Sequence, residues 1–144
     1  MQQRVSLITL GVADLEKSKA FYTALGWKNV ADEAGIAAFD LQGSVLGLYP
    51  KADLAQDVGL PLVEGFSGQT LSHNVHTREE VAPLVEHARA AGAKILKEPH
   101  EVFWGGFIAY FCDPDAHVWE IAHNPFSKLG PGGEFAWNGY TPAP

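Results

Sequence analysis

The chain has 144 residues, of which 47% are hydrophobic and 19% are charged. This balance is typical of a folded domain and excludes an intrinsically disordered chain. The formal net charge of −7 and the lack of a basic run argue against nucleic acid as a partner. A single cysteine cannot form an internal disulfide, and polar residues interrupt the apolar N-terminal stretch. We therefore predict neither a signal peptide nor a membrane span, and we expect a cytoplasmic protein.

The first 50 residues predict a strand, a helix and three further short strands. Residues 4–12 are rich in Val, Leu, Ile and Thr, as strands are. Asp14 is suited to cap a helix that extends to Leu25, and Gly26 is suited to end it. Apolar and small side chains recur along this helix at the spacing of one buried face. The three short strands are predicted at 27–30, 36–41 and 45–49.

The same order of elements is predicted a second time after residue 69. Residues 51–69 form the best linker candidate, with one helical turn at 52–57. A strand at 70–76, a helix at 78–91 and a short strand at 94–97 follow, and two more strands complete the unit by residue 125. We therefore predict a tandem βαβββ repeat: 1–50 as the first module, 70–125 as the second, and 126–144 as a Gly- and Pro-rich tail.

The last two strands of the second module flank a turn of Asp and Pro residues. Residues 107–112 are apolar and aromatic, Asp113, Pro114 and Asp115 are typical turn residues, and 117–123 is the final strand. Because side chains alternate along a strand, Glu120 lies on the opposite face from Trp119 and Ile121. An unpaired buried charge is costly, so we expect Glu120 to have a partner or to be partly exposed.

Two sets of residues resemble the vicinal oxygen chelate superfamily, the group of glyoxalases, bleomycin-resistance proteins and dioxygenases. The first set is Leu10-Gly11-Val12-Ala13-Asp14-Leu15 with Ala20-Phe21-Tyr22 and Leu25-Gly26; the second is Asp113-Pro114-Asp115 followed by Glu120. The resemblance covers residues 4–124 or so. It implies an α+β fold in which tandem βαβββ modules form a curved mixed sheet around a cleft.

The resemblance also implies where a metal would bind. Metal-dependent members similar to glyoxalase I use ligands on the first and last strands of each module. In the second module these positions fall on His73 and Glu120, and in the first on Leu7 and Gly47, which cannot bind a metal. The expected site is thus a half-site, with either no cofactor or a weakly bound divalent metal.

Three interpretations of a His73–Glu120 pair stay open. The pair is a two-ligand metal site completed by water or substrate, a metal-free general acid/base pair, or a buried hydrogen-bonded pair without a chemical role. Apolar lining for a small-molecule cleft is predicted from Phe39, Tyr49, Trp104 and Phe107, with Gly105 and Gly106 allowing close approach of the backbone. The alternative for Trp104 and its glycines is a hairpin with a core tryptophan.

Two functions are therefore expected as alternatives. The first is an enzyme, a lyase, isomerase or dioxygenase that acts on a small molecule in the cleft, with His73 and Glu120 as catalytic residues. The second is a metal-free binding protein that sequesters an antibiotic or other aromatic compound. We also predict a homodimer, because the modules have sheet edges to cover and the tail carries Phe135, Trp137 and Tyr140.

Overall fold

A computed structural model describes residues 1–33 and 35–142, which divide into two compact units. The first unit comprises Met1–Phe66 together with Pro114–His117. The second comprises Ser67–Asp113 and the described residues from Val118 onward. Each unit contains one four-stranded mixed sheet, so the predicted α+β fold of tandem modules is confirmed.

The first unit orders its strands β1-β4-β3-β2, with β1 parallel to β4 and the other pairs antiparallel. Its elements are β1 Leu7–Val12, α1 Leu15–Ala24, β2 Asn29–Glu33, β3 Ile36–Asp40, β4 Val45–Pro50 and α2 Lys51–Val58. The helix α2 is longer than the single turn predicted there. Gly59 ends it in the left-handed conformation that glycine adopts without steric cost.

Helix α1 begins and packs as its sequence predicts. The Asp14 side chain accepts a hydrogen bond from the Lys17 backbone N–H at 3.0 Å, which satisfies one of the free donors at the helix start. Ser18, Phe21 and Tyr22 form its buried face. The Tyr22 ring lies 5.8 Å from the ring of Phe39 on β3, so the helix covers one face of the first sheet.

The second unit repeats this arrangement, with the strand order β5-β8-β7-β6 and a parallel β5–β8 pair. Its elements are β5 Leu71–Asn74, a 3-10 turn Arg78–Glu80, α3 Val81–Ala91, β6 Lys94–Glu101, β7 Phe107–Cys112 and β8 Val118–His123. Val81, Val85 and Ala88 are the buried residues of α3.

Two elements of the second unit differ in length from their predictions. Strand β5 ends at Asn74 because Thr77 starts the next helical segment: the Glu80 carboxylate accepts its backbone N–H at 2.9 Å. Strand β6 continues to Glu101, because it pairs with β7 across two irregularities in register. Such irregularities do not follow from residue periodicity.

The turn between β7 and β8 belongs to the first unit. Asp115 accepts hydrogen bonds from the Ala13 backbone N–H at 2.7 Å and from the Ser18 hydroxyl at 2.5 Å. The His117 ring lies 2.8 Å from the Gly11 carbonyl oxygen. The Asp-Pro-Asp turn thus fastens the start of α1, and this explains a fully buried serine in that helix.

The tail folds back on itself through hydrogen bonds. The Tyr140 backbone N–H donates to the Lys128 carbonyl at 2.8 Å, and the Ser127 hydroxyl donates to the Trp137 carbonyl at 2.6 Å. Leu129 is buried, whereas Trp137 remains exposed. Among the residues described, no helix is both long enough and apolar enough to span a bilayer.

Candidate functional site

Glu120 lies at the centre of a hydrogen-bonded cluster on the second sheet. Its Oε1 accepts a hydrogen bond from the Ser72 hydroxyl at 2.9 Å, and its Oε2 accepts one from the Tyr110 hydroxyl at 2.5 Å. The register produces this arrangement, because Ser72 on β5 and Tyr110 on β7 are the two cross-strand partners of Glu120 on β8. Register partners share one face of a sheet. We call these three residues the Glu120 cluster.

Asn74 extends the cluster along β5. Its side-chain amide nitrogen lies 3.4 Å from the Ser72 hydroxyl oxygen, at the long end of the hydrogen-bond range. Ile108 and Ala122 occupy the next pair of positions on the same face, and both are buried. The cluster therefore borders the apolar core of the second unit.

Tyr110 is held in its neutral form. The hydrogen bond to Glu120, then burial, then the negative charge of Glu120 raise the pKa of Tyr110 to about 12. At physiological pH the phenol is therefore a hydrogen-bond donor and not a phenolate. A group that ionises so far from neutral pH is poorly matched to general acid–base catalysis. Its contribution is to hold the Glu120 carboxylate in place.

The predicted contact between His73 and Glu120 is wrong. His73 pairs in register with Ile121, whereas Glu120 pairs with Ser72, so the two side chains leave the sheet on opposite faces. Desolvation lowers the pKa of His73, and the charge of Glu80 partly opposes this effect. A metal site, an acid/base pair or a buried pair made of His73 and Glu120 together is therefore excluded by the register.

The matching positions of the first unit offer no ligand for a metal. Gly47 pairs with Thr9, and a Cβ built on Gly47 would lie 3.3 Å from Cδ1 of Leu7 and 3.4 Å from Cδ1 of Ile36. Leu7 and Gly47 thus lie close together, as their predicted places require, but neither can bind a metal, and the only polar atom among the three nearest to that Cβ is Oγ1 of Thr9 at 3.8 Å. Within residues 1–33 and 35–142, no group of three or more His, Cys, Asp or Glu side chains is placed to hold a metal.

The donor set therefore does not fit the metal that the family resemblance implies. Catalytic zinc sites commonly use three protein ligands. At the ligand positions that the resemblance implies, the second unit offers one carboxylate, that of Glu120, and both of its oxygens already accept hydrogen bonds. Replacing those hydrogen bonds with a metal would require further ligands, and the first-unit positions do not carry them.

The four apolar residues predicted to line a cleft have different surroundings. Phe39 is fully buried against Tyr22 and Trp27, so it belongs to the core of the first unit and not to a ligand surface. Phe107 lies on the sheet face opposite Glu120, with the Arg78 guanidinium 4.1 Å from its ring centroid. The prediction for Phe39 is corrected because its ring is fully buried, whereas ligand contact by Phe107 stays a prediction.

Tyr49 and Trp104 also remain candidates for ligand contact. Tyr49 is partly exposed, and the negative charge of Asp57, burial and a hydrogen bond to Asp57 raise its pKa. The Trp104 ring lies across Gly106: a Cβ there would come within 1.9 Å of the indole. Gly106 is thus needed for the close approach of Trp104, which is exposed by 37%.

Sequence reasoning missed Ser72 and Tyr110, although a signal for Ser72 was present. Ser72 and Asn74 are polar residues spaced by two on a predicted strand, and the structure places both on the Glu120 side of the sheet. Cys112 lies at the end of β7. It is a buried thiol whose pKa is raised first by burial and then by Asp113, so it is not a reactive nucleophile.

The fold and the sequence together match one known family. The family model described as the Glyoxalase/Bleomycin resistance protein/Dioxygenase superfamily matches residues 4–121. The chain belongs to this superfamily. This confirms the resemblance drawn from the residues of α1 and of the Asp-Pro-Asp turn.

Solved structures and curated relatives agree with this assignment. A glyoxalase-related enzyme from Fulvimarina pelagi is 38% identical, with a TM-score of 0.88 over 94% of this chain and 99% of that one. A family enzyme from Burkholderia phytofirmans is 26% identical, with a TM-score of 0.73 over 82% of this chain and 96% of that one. A lactoylglutathione lyase from Arabidopsis thaliana is 28% identical over 76% of this chain but over only 40% of its own length. The chain therefore spans less than half of that curated relative.

Proposed function

We propose that this glyoxalase-like protein binds a small organic molecule at the Glu120 cluster without a tightly bound metal. The observation that carries the proposal is the placement of Glu120, whose two oxygens are fixed by Ser72 and Tyr110 on a partly exposed sheet face. A fixed carboxylate has remaining lone pairs, which accept hydrogen bonds from a ligand. Preorganisation of this kind reduces the entropic cost of binding.

The ligand that suits the cluster carries a hydrogen-bond donor, and an amine suits it best. A carboxylate repels anions and attracts ammonium groups, and the formal net charge of −7 acts in the same direction. The superfamily includes bleomycin-resistance proteins, which supports an aromatic body for the ligand. We therefore favour sequestration of an amine-bearing aromatic compound, such as an antibiotic, over catalysis.

The chemistry of the cluster supports binding more than turnover. Tyr110 remains protonated up to a pH of about 12, so it is not suited to exchange protons near neutral pH. A lyase, isomerase or dioxygenase reaction of the metal-dependent kind requires ligands that Leu7 and Gly47 do not provide. The lyase activity named for the Arabidopsis relative is thus the competing proposal, and one experiment compares the two.

The test measures thermal stabilisation of the purified protein by a panel of aromatic amines and amine-bearing antibiotics. We expect at least one compound to raise the melting temperature of the wild type and to lose this effect with Glu120→Gln. Glu79→Gln, which removes an exposed carboxylate elsewhere in the same unit, is the matched control and keeps the effect. Stabilisation that is equal in wild type and Glu120→Gln contradicts the proposal.

The same preparation is assayed for isomerisation of the adduct of methylglyoxal and glutathione, with and without added Zn²⁺ or Ni²⁺. We expect no turnover above background and, by elemental analysis, far less than one transition metal per chain. Metal-dependent turnover that disappears with Glu120→Gln would establish the lyase alternative instead.

We also propose that the protein forms a homodimer and acts in the cytoplasm. Exposed apolar side chains are closely spaced after α2, at Leu60, Leu62, Val63 and Phe66. Dense apolar exposure of this kind is typical of interaction surfaces. Light scattering should give about twice the chain mass of 15.6 kDa, and Phe66→Ser should weaken the association. A mass of one chain at micromolar concentration contradicts the dimer.

A further inference from the structure

We propose that the second unit contains another binding site, a cavity between β5, the start of α3 and the tail, which takes a small aromatic molecule with a neutral hydroxyl group. The cavity is open to solvent along much of its surface and has a volume of about 570 Å³. Its walls include His73, Val75, Pro83, Leu84, Leu129 and Pro131. We call it the α3–tail cavity.

This cavity is distinct from the Glu120 cluster, although Asn74, which extends the cluster along β5, also contributes to its lining. His73, which lines it, projects from the face of the sheet opposite Glu120, because its register partner is Ile121. Ser72, Tyr110 and Glu120 are absent from its lining. Occupation of the cavity therefore does not depend on the function proposed for the cluster.

The size and lining of the cavity suit a small apolar molecule. Sites for small molecules enclose about 300–1,000 Å³ and have mainly apolar walls with a few polar groups. Here Val75, Pro83, Leu84 and Leu129 supply apolar surface from a strand, a helix and the tail. A planar aromatic ring can lie against these open walls and has few internal rotations to lose on binding.

The tail wall of the cavity is held by its own hydrogen bonds. The Gly130 backbone N–H donates to the Glu134 carbonyl at 2.9 Å, and the Gly132 N–H donates to the Glu134 carboxylate at 2.9 Å. Leu129 is only 7% exposed. These contacts fix the chain from 129 to 134 as one side of the cavity, so the wall is preformed.

His73 provides the polar recognition within this lining. Desolvation lowers the pKa of His73, which favours the neutral imidazole, and the charge of Glu80 opposes this effect. A neutral imidazole has one N–H donor and one nitrogen acceptor, and the acceptor suits the O–H of a phenol. The Glu80 carboxylate also lines the cavity and disfavours an anionic ligand.

The probe is p-cresol, titrated into protein that is labelled with ¹³C at the histidine imidazoles and followed by NMR. We expect a saturable shift of the His73 signals, with a dissociation constant in the millimolar range or tighter. The His117 signals, from a ring in the first unit, should not move and serve as the internal reference. No saturable shift at His73 would overturn the proposal.

Two leucine variants test the location of the probe. Leu84→Ala shortens a cavity wall but keeps a good helix former, and it should weaken p-cresol binding about threefold to tenfold. Leu96→Ala makes the same change at an exposed position of β6 outside the cavity and should leave binding unchanged. Leu129→Ala repeats the test from the tail side. Equal binding by wild type, Leu84→Ala and Leu129→Ala would refute the site.

Titration of p-cresol into the Glu120→Gln variant distinguishes binding in the α3–tail cavity from binding at the Glu120 cluster. Unchanged p-cresol binding in that variant supports two separate sites. Loss of p-cresol binding in Glu120→Gln, with the variant still folded, would assign the probe to the Glu120 cluster and overturn the second site.

Discussion

Replacing Tyr110 with phenylalanine isolates one hydrogen bond of the Glu120 cluster. Tyr110→Phe removes the hydroxyl that donates to Glu120 at 2.5 Å and leaves the aromatic ring in place. The displacement of the pKa of Tyr110 from 10.0 to about 12 would correspond to roughly 3 kcal/mol if solvent screened none of it. Tyr110 is partly exposed, so water reduces this value. We expect the variant to lose about 1–2 kcal/mol of unfolding free energy.

The pH dependence of this loss follows from the direction of the shift. Because folding raises the pKa of Tyr110, the stabilisation is complete below pH 10 or so, where the phenol is protonated in both states. It disappears as the pH rises to about 12 and the folded-state phenol ionises. The difference between wild type and Tyr110→Phe should therefore be constant near neutral pH and shrink above pH 10 or so.

Two measurements check this prediction. Urea unfolding followed by tryptophan fluorescence gives the free energies of wild type, Tyr110→Phe and the control Tyr140→Phe, which alters an exposed ring of the tail. Ultraviolet difference titration should show that Tyr110→Phe removes a tyrosine that ionises near pH 12. Equal stability of wild type and Tyr110→Phe, with no change in the high-pH titration, would refute the role given to this hydroxyl.

Three further substitutions test other contacts by urea unfolding. Glu120→Ala leaves two hydroxyls without their acceptor but within reach of water, so we expect it to lower the free energy of unfolding by about 1–2 kcal/mol. In the double variant with Tyr110→Phe, the two losses should add to less than their sum, and full additivity would contradict the cluster. Ser18→Ala removes a fully buried donor to Asp115 and should cost about 1–2 kcal/mol, and an unchanged stability would contradict that contact. Asp14→Ala removes the cap of α1 and should cost about 1 kcal/mol, whereas Asp14→Asn should cost much less.

Local sequence signals predict the repeated architecture well. The Asp14 side chain caps α1, Gly26 and Gly92 follow the two helices at positive φ, and the buried positions of α1 and α3 recur at helical spacing. Each signal depends only on residues within a few positions of it, so it can be recognised without knowing the tertiary contacts. The repeat then follows because the same signals occur twice in the same order.

The Glu120 cluster depends on register, and register is not a local property. The family resemblance assigned His73 and Glu120 to one site, whereas the parallel β5–β8 pair aligns Ser72 with Glu120. A displacement of one residue changes the face of every side chain in a strand. The prediction therefore named the imidazole of His73 where the structure has the hydroxyl of Ser72. It also joined two residues that the structure assigns to different faces.

The error for Phe39 has a different physical origin. Aromatic residues on strands serve equally as core and as ligand contacts, and only the packing partners distinguish these roles. Tyr22 and Trp27 surround Phe39 on one face of the first sheet, and these contacts come from a helix and a loop distant in sequence. No periodicity in 36–41 reveals them.

The two units share their topology, but only the second carries the polar cluster. Gly47 pairs with Thr9 on the parallel strands of the first unit, as Glu120 pairs with Ser72 on those of the second. A side chain added at Gly47 would meet Leu7 and Ile36 at close to 3.3 Å, tighter than ordinary van der Waals contact. Introducing a carboxylate there would thus require repacking of its neighbours as well as a new ligand in place of Leu7. The first unit is therefore built around apolar contact at this position, and a single substitution does not convert it into half of a metal site.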